Sequence, residues 1–308
     1  MNKAVRFIIK WLIVFFAASI LIFLLVRMMP TTPAVKWLDT LHLPRTEANI
    51  EWITHRMGLD RPLAVQYGIW MRNFFRGDWG VSLVSGEDIR ARFFAKMPYS
   101  FSIGISGILI GSAAAFFLGF RAALRRGGIC DKITTVLTIF SQSVPMFILS
   151  IIIINALGVR LRIARFFTGD GKYAMLAAIL LTAFYSVGSL SRIVRQGFRE
   201  EMGKSYVKFA VSRGFSKETV LFRHAYKPVL AGLISAVISH FAYVFGGSTV
   251  LEFAFTIPGL STMLVSAMDS RDYNILQVYI LVVVIWMFFV HLVLNLVLRA
   301  LNVRGQES

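Results

Sequence analysis

The 308-residue chain is poor in charge and nearly devoid of cysteine. Only 16% of its residues are charged, whereas 56% are hydrophobic and the mean hydropathy is +0.67. This composition excludes an ordinary soluble domain and indicates an integral membrane protein. The single cysteine, Cys130, excludes an intrachain disulfide and leaves redox chemistry without support.

Acidic residues are missing from the stretches that could cross a bilayer. Six apolar stretches are long enough, at 7–29, 101–124, 133–159, 173–193, 229–250 and 275–298, and none contains Asp or Glu. Carriers coupled to protons or sodium usually need ionisable groups inside the membrane. A secondary carrier or channel is therefore only the remote alternative.

Catalytic motifs are missing as well. The sequence has no H-E-x-x-H, no paired cysteines and no nucleophile elbow, so a membrane enzyme or receptor has no supporting pattern. Residues 203–205 look like the end of a phosphate-binding loop, but Phe198 stands where that motif needs glycine. We predict that the chain is not an enzyme and that an ATP-driven mechanism would need an ATPase on another subunit.

Metal-ligand patterns are also weak. His42, His55, His240 and His291 have no partner at i+3 or i+4. A lone membrane histidine usually bonds a neighbouring helix, and this is what we expect of His240 and His291. We predict no metal site within the chain.

Lys and Arg indicate the orientation. Leaving out the long segment 30–98, they outnumber Asp and Glu most strongly on the side of the two termini, which predicts cytosolic termini. We attribute the net charge of +17 to topology and to contact with membrane lipid rather than to nucleic acid.

Small residues and one proline shape the predicted spans. Gly107, Gly111, Ala115 and Gly119 recur every four residues and predict a face for close helix contact. Pro145 interrupts the third span, and such a break is tolerated where neighbouring helices or a water-lined cavity satisfy the freed carbonyl groups.

Residues 194–228 form a basic loop that is longer than a simple connection requires. Its pattern predicts two short helices, with Gly214 as a C-terminal cap and Ser216 opening the second helix. An apolar stripe runs through Met202, Tyr206, Phe209 and Ala210. The loop is either a docking surface for a cytosolic protein or a basic segment on anionic lipid.

Several motifs in order carry a resemblance to a known family. Residues 57–67 read MGLDRPLAVQY, 77–82 read GDWGVS and 143–147 read SVPMF. Glu252, Phe255, residues 258–260 (PGL) and residues 271–273 (RDY) follow before the last span. Together they resemble an inner-membrane permease subunit of the ABC importers for peptides, nickel and metal chelates, over essentially the whole chain.

The resemblance gives the basic loop a role. Tyr206, Ala210 and Gly214 match the pattern Y---A---G of the segment that couples such permeases to their ATPase, and His224 matches the following position. Lys208 replaces an acidic residue of the wider pattern. Elsewhere, Ser261 and Asn274 replace the usual glycine and proline.

The implied fold is an all-α type I importer permease with six transmembrane helices. We predict an N-terminal helix at 1–29, an extracytoplasmic segment at 30–98 and a five-helix core at 99–308, with the coupling loop at 194–228. Implied partners are a second homologous permease, two ATP-binding subunits that use the ATP, an extracytoplasmic substrate-binding protein and lipid. The chain itself needs no cofactor.

Two further assignments concern the route of the substrate. We predict that a pathway or gate includes Pro145, Ser239, Tyr243, Glu252 and Pro258. The outer segment, with its tryptophans Trp52, Trp70 and Trp79, is either a docking surface for the binding protein or a folded cap.

For the cargo, the resemblance of residues 34–70 favours nickel or a metal chelate. Di- or oligopeptides are the alternative.

Overall fold

The computed structural model describes residues 3–28, 32–167, 171–241, 243–246 and 248–301. Within these ranges the regular elements are helices, and the only β-type pairing is an isolated antiparallel bridge between Val81 and Asp88. The helical class predicted from the sequence is confirmed for this part of the chain.

Sixteen α-helices follow one another in these ranges. They are α1 Lys3–Arg27, α2 Pro33–Thr40, α3 Glu47–Arg56, α4 Leu63–Phe75, α5 Ile89–Phe101, α6 Gly107–Leu124, α7 Ile129–Ser143, α8 Met146–Ile153, α9 Lys172–Met202, α10 Ser205–Ser212, α11 Lys217–Val220, α12 Tyr226–Phe241, α13 Tyr243–Gly246, α14 Thr249–Ala254, α15 Leu260–Ser270 and α16 Tyr273–Ala300. The chain divides into two compact units, one of Met1–Pro98 with Thr262–Phe288 and one of Tyr99–Ser261 with Phe289–Ser308.

Four helical stretches are long and apolar enough to cross a membrane: Val5–Arg27, Ile89–Leu124, Lys172–Met202 and Tyr273–Ala300. A bent pair, Ile129–Ser143 with Met146–Arg160, raises the number to five if it counts as one span. The predicted span 229–250 instead corresponds to α12 and α13. With 16 residues, α12 rises about 24 Å, which is short of the roughly 30 Å core of a bilayer. Six spans therefore stay a prediction.

The second predicted span, 101–124, is preceded by further helical residues. Its helix starts at Ile89, and Pro98 lies inside α5 rather than at the end of a loop. Proline lacks an N–H and disturbs the helical ladder. A π-helical turn, Ser102–Ser106, follows α5 and leads into α6.

The small-residue face of α6 packs against α9. A Cβ atom at Gly107 would lie 2.5 Å from Thr182 Cβ, and one at Gly111 would lie 2.5 Å from Ser186 Cβ and 2.7 Å from the Ala183 oxygen. These positions admit no side chain, so the predicted close contact within the chain is present.

Pro145 separates α7 from α8, whose axes differ by 99°. The neighbouring helix α9 satisfies polar groups around this break, as expected. The Tyr185 hydroxyl donates to the Val144 oxygen at 2.5 Å. In the other direction, the Thr138 hydroxyl donates to the Gly188 oxygen at 2.7 Å.

The outer segment has its own core. Trp79 stacks on Phe74 with ring centroids 5.7 Å apart, and Trp70 stacks on Phe23 at 5.9 Å. Trp52 is exposed and lies beside the Arg56 guanidinium. Trp70 and Trp79 therefore pack against other rings of the chain, whereas Trp52 is exposed, and both the docking surface and the folded cap stay predictions.

Candidate functional site

The coupling loop contains the two short helices expected from its pattern, α10 and α11. Gly214 separates them with φ +93°, a conformation that side-chain-bearing residues rarely adopt. Ser216 caps α11, because its hydroxyl oxygen accepts a hydrogen bond from the Thr219 N–H at 3.1 Å. A π-helical turn, Leu221–Ala225, then leads directly into α12.

A buried carboxylate fixes the start of this loop. Glu201, at the end of α9, accepts from the Tyr206 hydroxyl at 2.6 Å and from the Lys204 ammonium at 2.6 Å. Partial desolvation of the hydroxyl and its bond to Glu201 both raise the pKa of Tyr206, so the hydroxyl keeps its proton although the ring is exposed. The arrangement ties α10 to the end of α9. Glu201 does not stand out in the sequence as a site residue, although it lies only five residues before Tyr206.

The apolar stripe of α10 is turned away from the core of the chain. Val207 faces inward and is 3% exposed, whereas Phe209 is 63% exposed and Tyr206 is also exposed. Phe215 and Phe222 add two more exposed aromatic rings along the loop.

The predicted coupling residues share this exposed side to different degrees. Ala210 is half-buried, whereas Gly214 and His224 are exposed. Leu221 and Ala225 anchor the loop by inserting into a core cluster that contains Phe198. Whether the predicted residues contact an ATPase stays a prediction.

Glu252 is the buried centre of a second polar cluster. Its Oε1 accepts from the Ser100 hydroxyl at 2.6 Å and from the Ser248 hydroxyl at 2.8 Å. The Ser100 hydroxyl oxygen also accepts the Leu260 N–H at 2.7 Å. The backbone of Gly259 passes so close that a Cβ there would lie 2.4 Å from the carboxyl carbon. The cluster thus holds α5, α14 and the start of α15 together.

Asp272 plays a comparable part in the other unit. Its carboxylate accepts from the Ser82 hydroxyl, and from the Leu83 N–H at 3.2 Å. The motif at 77–82 and the motif at 271–273, far apart in sequence, therefore meet.

The two departures from the family pattern both make hydrogen bonds. The Ser261 hydroxyl lies 3.1 Å from that of Ser248, which joins it to the Glu252 cluster. The Asn274 side chain donates to the Val81 oxygen at 2.9 Å. Glycine or proline at these positions would supply neither contact.

The predicted pathway residues do not form one lining. Pro258 lines a cavity of about 700 Å³ with Tyr99, Phe166 and Phe255, whereas Glu252 is fully buried and Pro145 lies at the bend between α7 and α8. The side chains of Ser239 and Tyr243 lie outside the described residues.

Histidines occupy ordinary structural positions. His240 Nε2 lies 3.1 Å from the Ser189 hydroxyl on α9, as expected for a lone membrane histidine. His55 Nδ1 lies 2.7 Å from the Asp60 carboxylate. In the part of the chain that the structure describes, no three His, Cys, Asp or Glu residues are grouped to hold a metal.

Several bilayer-length helices indicate a multi-pass membrane protein, and its basic loop exposes aromatic rings. Comparison with known families identifies the class: residues 107–304 match the model "Binding-protein-dependent transport system inner membrane component", and residues 1–103 match the corresponding N-terminal model. The chain belongs to this family of ABC importer permease subunits, whose peptide and nickel branch it resembles in sequence. It is a multi-pass protein of the inner membrane.

Individual relatives cover the whole chain. The glutathione transport system permease proteins GsiC of Escherichia coli (strain K12), Shigella boydii serotype 4 (strain Sb227) and Shigella flexneri serotype 5b (strain 8401) are each 26% identical to it over 308 residues. The match covers 98% of this chain and 98% of each relative.

Proposed function

We propose that the chain is the permease subunit of an ATP-driven importer for short peptides. The observation that carries this cargo is the end-to-end similarity to permeases named for glutathione, itself a tripeptide. The preference for nickel or a metal chelate depended on the resemblance of residues 34–70 alone. The full-length similarity therefore outweighs it.

We further propose the topology and partners of such an importer. The chain has six spans with both termini in the cytosol, residues 30–98 outside and the loop 194–228 inside. A second homologous permease completes the route. Two ATPase subunits supply the energy and an extracytoplasmic binding protein delivers the peptide.

Coupling in this proposal uses the exposed side of the loop. The exposed aromatic residues of the loop include Tyr206, and Ala210, Gly214 and His224 each lie within two residues of another exposed ring in the sequence. The bond from Tyr206 to Glu201 ties this part of the loop to α9. Only contacts that differ between the two states of the ATPase can shift the permease between its own states. A loop firmly tied to a long membrane helix can transmit such a difference.

The substrate route in this proposal includes Pro145, Ser239, Tyr243, Glu252 and Pro258. The bend at Pro145 and the cavity beside Pro258 support it, because irregular backbone at membrane depth is tolerated where it lines a cavity. Glu252 is buried and takes part in this route without lining it. It positions the backbone next to Pro258, because Gly259 packs against its carboxyl group and Leu260 is bonded to it through Ser100.

The test is uptake in a strain that lacks this chain, with and without the chain restored. Labelled glutathione, a labelled dipeptide and labelled nickel, with and without a chelator, are supplied separately. We expect restored uptake of at least one peptide, competed by unlabelled peptide and abolished when ATP is depleted. Restored nickel uptake with unchanged peptide uptake would instead assign the chain to metal transport.

A further inference from the structure

A cavity of about 400 Å³ lies at the C-terminal end of α1, within the unit that contains the outer segment. Its lining includes three arginines, Arg27, Arg56 and Arg61, and no Asp or Glu. Among the described residues, no carboxylate lies within 4.0 Å of any of these three guanidinium groups. The lining is therefore strongly positive. Asp60 lies beside it, bonds the lining residue His55 at 2.7 Å and attracts Arg61. The charge without a neighbouring carboxylate is thus that of Arg27 and Arg56.

Arg27 is held in place by neutral groups. Its Nε and Nη2 both donate to Gln66 Oε1 at 3.0 Å, and its Nη1 donates to the Phe23 oxygen at 3.3 Å. Gln66 is oriented in turn by donating to the Leu59 oxygen at 2.9 Å and to the Arg61 oxygen at 2.7 Å. A half-buried guanidinium that is positioned so firmly, yet lacks a counter-ion, is arranged to receive an anion.

Gln277 provides an independent indication. Its side chain lines the same cavity and is only 4% exposed, yet its Nε2 donor has no hydrogen-bond partner among the described residues. A buried donor is nearly always paired in a folded protein. Gln277 can donate to any acceptor in the cavity, and the arginines favour an acceptor with negative charge, which is the chemistry of a phosphate or carboxylate.

The surroundings favour a phosphate that belongs to a lipid. Arg27 ends the membrane-length stretch Val5–Arg27, so it lies at the depth of lipid headgroups. Leu21, Leu24 and Leu25, one turn or two earlier on α1, are exposed and offer an apolar surface to acyl chains. A free anion would make no use of that surface.

We infer that this cavity binds the phosphate group of an anionic phospholipid, with Arg27 as the principal cation and Gln277 as a second donor. Basic pockets beside membrane helices recognise lipid headgroups in this way. The inference depends on neither the cargo nor the direction of transport.

Native mass spectrometry of the transporter complex that contains the full-length chain tests the site. The complex is taken from nanodiscs with equal phosphatidylglycerol and phosphatidylcholine, and the retained lipids are counted. We expect phosphatidylglycerol to exceed phosphatidylcholine about tenfold, as for a charge-assisted contact. Arg27→Gln and Gln277→Glu should each remove the preference, the first by deleting the cation and the second by placing a carboxylate in the cavity.

Arg76→Gln is the matched control, since it makes the same change of charge at an exposed position on the end of α4. It should leave the preference unchanged. Gln277→Glu should also keep the thermal stability of the complex, which distinguishes a lost site from a lost fold. Equal retention of phosphatidylglycerol by wild type and both cavity variants would overturn the inference. The inference would also be overturned if millimolar inorganic phosphate raised the thermal stability of the complex while no preference for phosphatidylglycerol was found, because the site would then bind free anions.

Discussion

Aromatic side chains are packed against one another in the outer segment but are exposed in the coupling loop. In the outer segment, Phe74 is buried and stacks on Trp79, so the rings satisfy one another. In the coupling loop, Phe209 and Phe215 are exposed. Yet the loop is well ordered by the Glu201 contacts and the Ser216 cap.

This difference separates stability from recognition. Rings that pack on each other contribute to the stability of their own segment, whereas exposed rings on a rigid frame present apolar surface that is free to meet a partner. A basic segment lying on lipid would also expose such rings. Four variants test this difference between packed and exposed rings, and the variant with the largest expected effect comes first.

Phe74→Ala should destabilise the permease most, by about 3–5 kcal/mol, because it leaves a cavity beside Trp79. Phe74 is 6% exposed. The neighbouring variant Phe75→Ala, at a position 65% exposed, is the control and should cost much less. Thermal unfolding in detergent measures both. Equal losses would mean that the outer segment has no core of its own.

Phe209→Ala should leave thermal stability unchanged but weaken capture of the ATPase subunits by about 2 kcal/mol, the scale of an interface hot spot. Copurification of tagged permease with the ATPases provides the measurement. Val207→Ala, in the buried position of the same helix, should show the reverse pattern. If Phe209→Ala instead reduces only binding to anionic vesicles, the loop is a lipid-contacting segment.

Gly214→Val should raise the free energy of the loop's native conformation by about 1–2 kcal/mol, since a β-branched residue resists a positive φ. A Cβ at this position would meet nothing within 4 Å, so the cost is conformational and not steric. We expect peptide uptake to fall while membrane insertion and affinity for the binding protein persist. Gly214→Asn, which tolerates positive φ better, should lose less, and full uptake by the valine variant would remove the loop from the coupling mechanism.

Tyr206→Phe should have the smallest effect on stability, because it removes one hydrogen bond between α10 and the end of α9, worth about 1 kcal/mol. The ring remains for docking, but the bond to Glu201 is lost. We expect ATPase capture to persist while uptake per ATP hydrolysed falls. Because the pKa of Tyr206 is raised, this efficiency in the wild type should not change between pH 6 and 9 through this residue. A fall in ATPase capture equal to that of Phe209→Ala would make the hydroxyl a direct contact.

The local patterns in the sequence were the most informative. The i+4 repeat from Gly107 predicted the close face of α6, Pro145 predicted the break after α7, and Gly214 and Ser216 marked the ends of two short helices. Each of these features depends on a few consecutive residues. The same kind of inference did not show that helix precedes the second predicted span, since α5 begins at Ile89 and carries Pro98 inside it.

The candidate sites were harder to predict because their members are distant in sequence. Nothing near Asp272 indicates that Ser82 and Leu83 will bond to it, and nothing near Glu252 points to Ser100. The substitutions Ser261 and Asn274 looked like departures from a pattern. Both residues make hydrogen bonds in the folded chain, to Ser248 and to Val81, and these contacts are not visible in the sequence.

The sequence by itself determined that this is a helical membrane permease with a basic loop between its apolar stretches, since hydropathy, charge and turn residues act over short ranges. Tertiary structure decided which side of α10 is exposed, which carboxylates are buried and satisfied, and that Arg27 and Gln277 line one basic cavity. Those properties are set by how distant segments pack, because burial and the pairing of polar groups belong to the whole fold and not to any one stretch of residues.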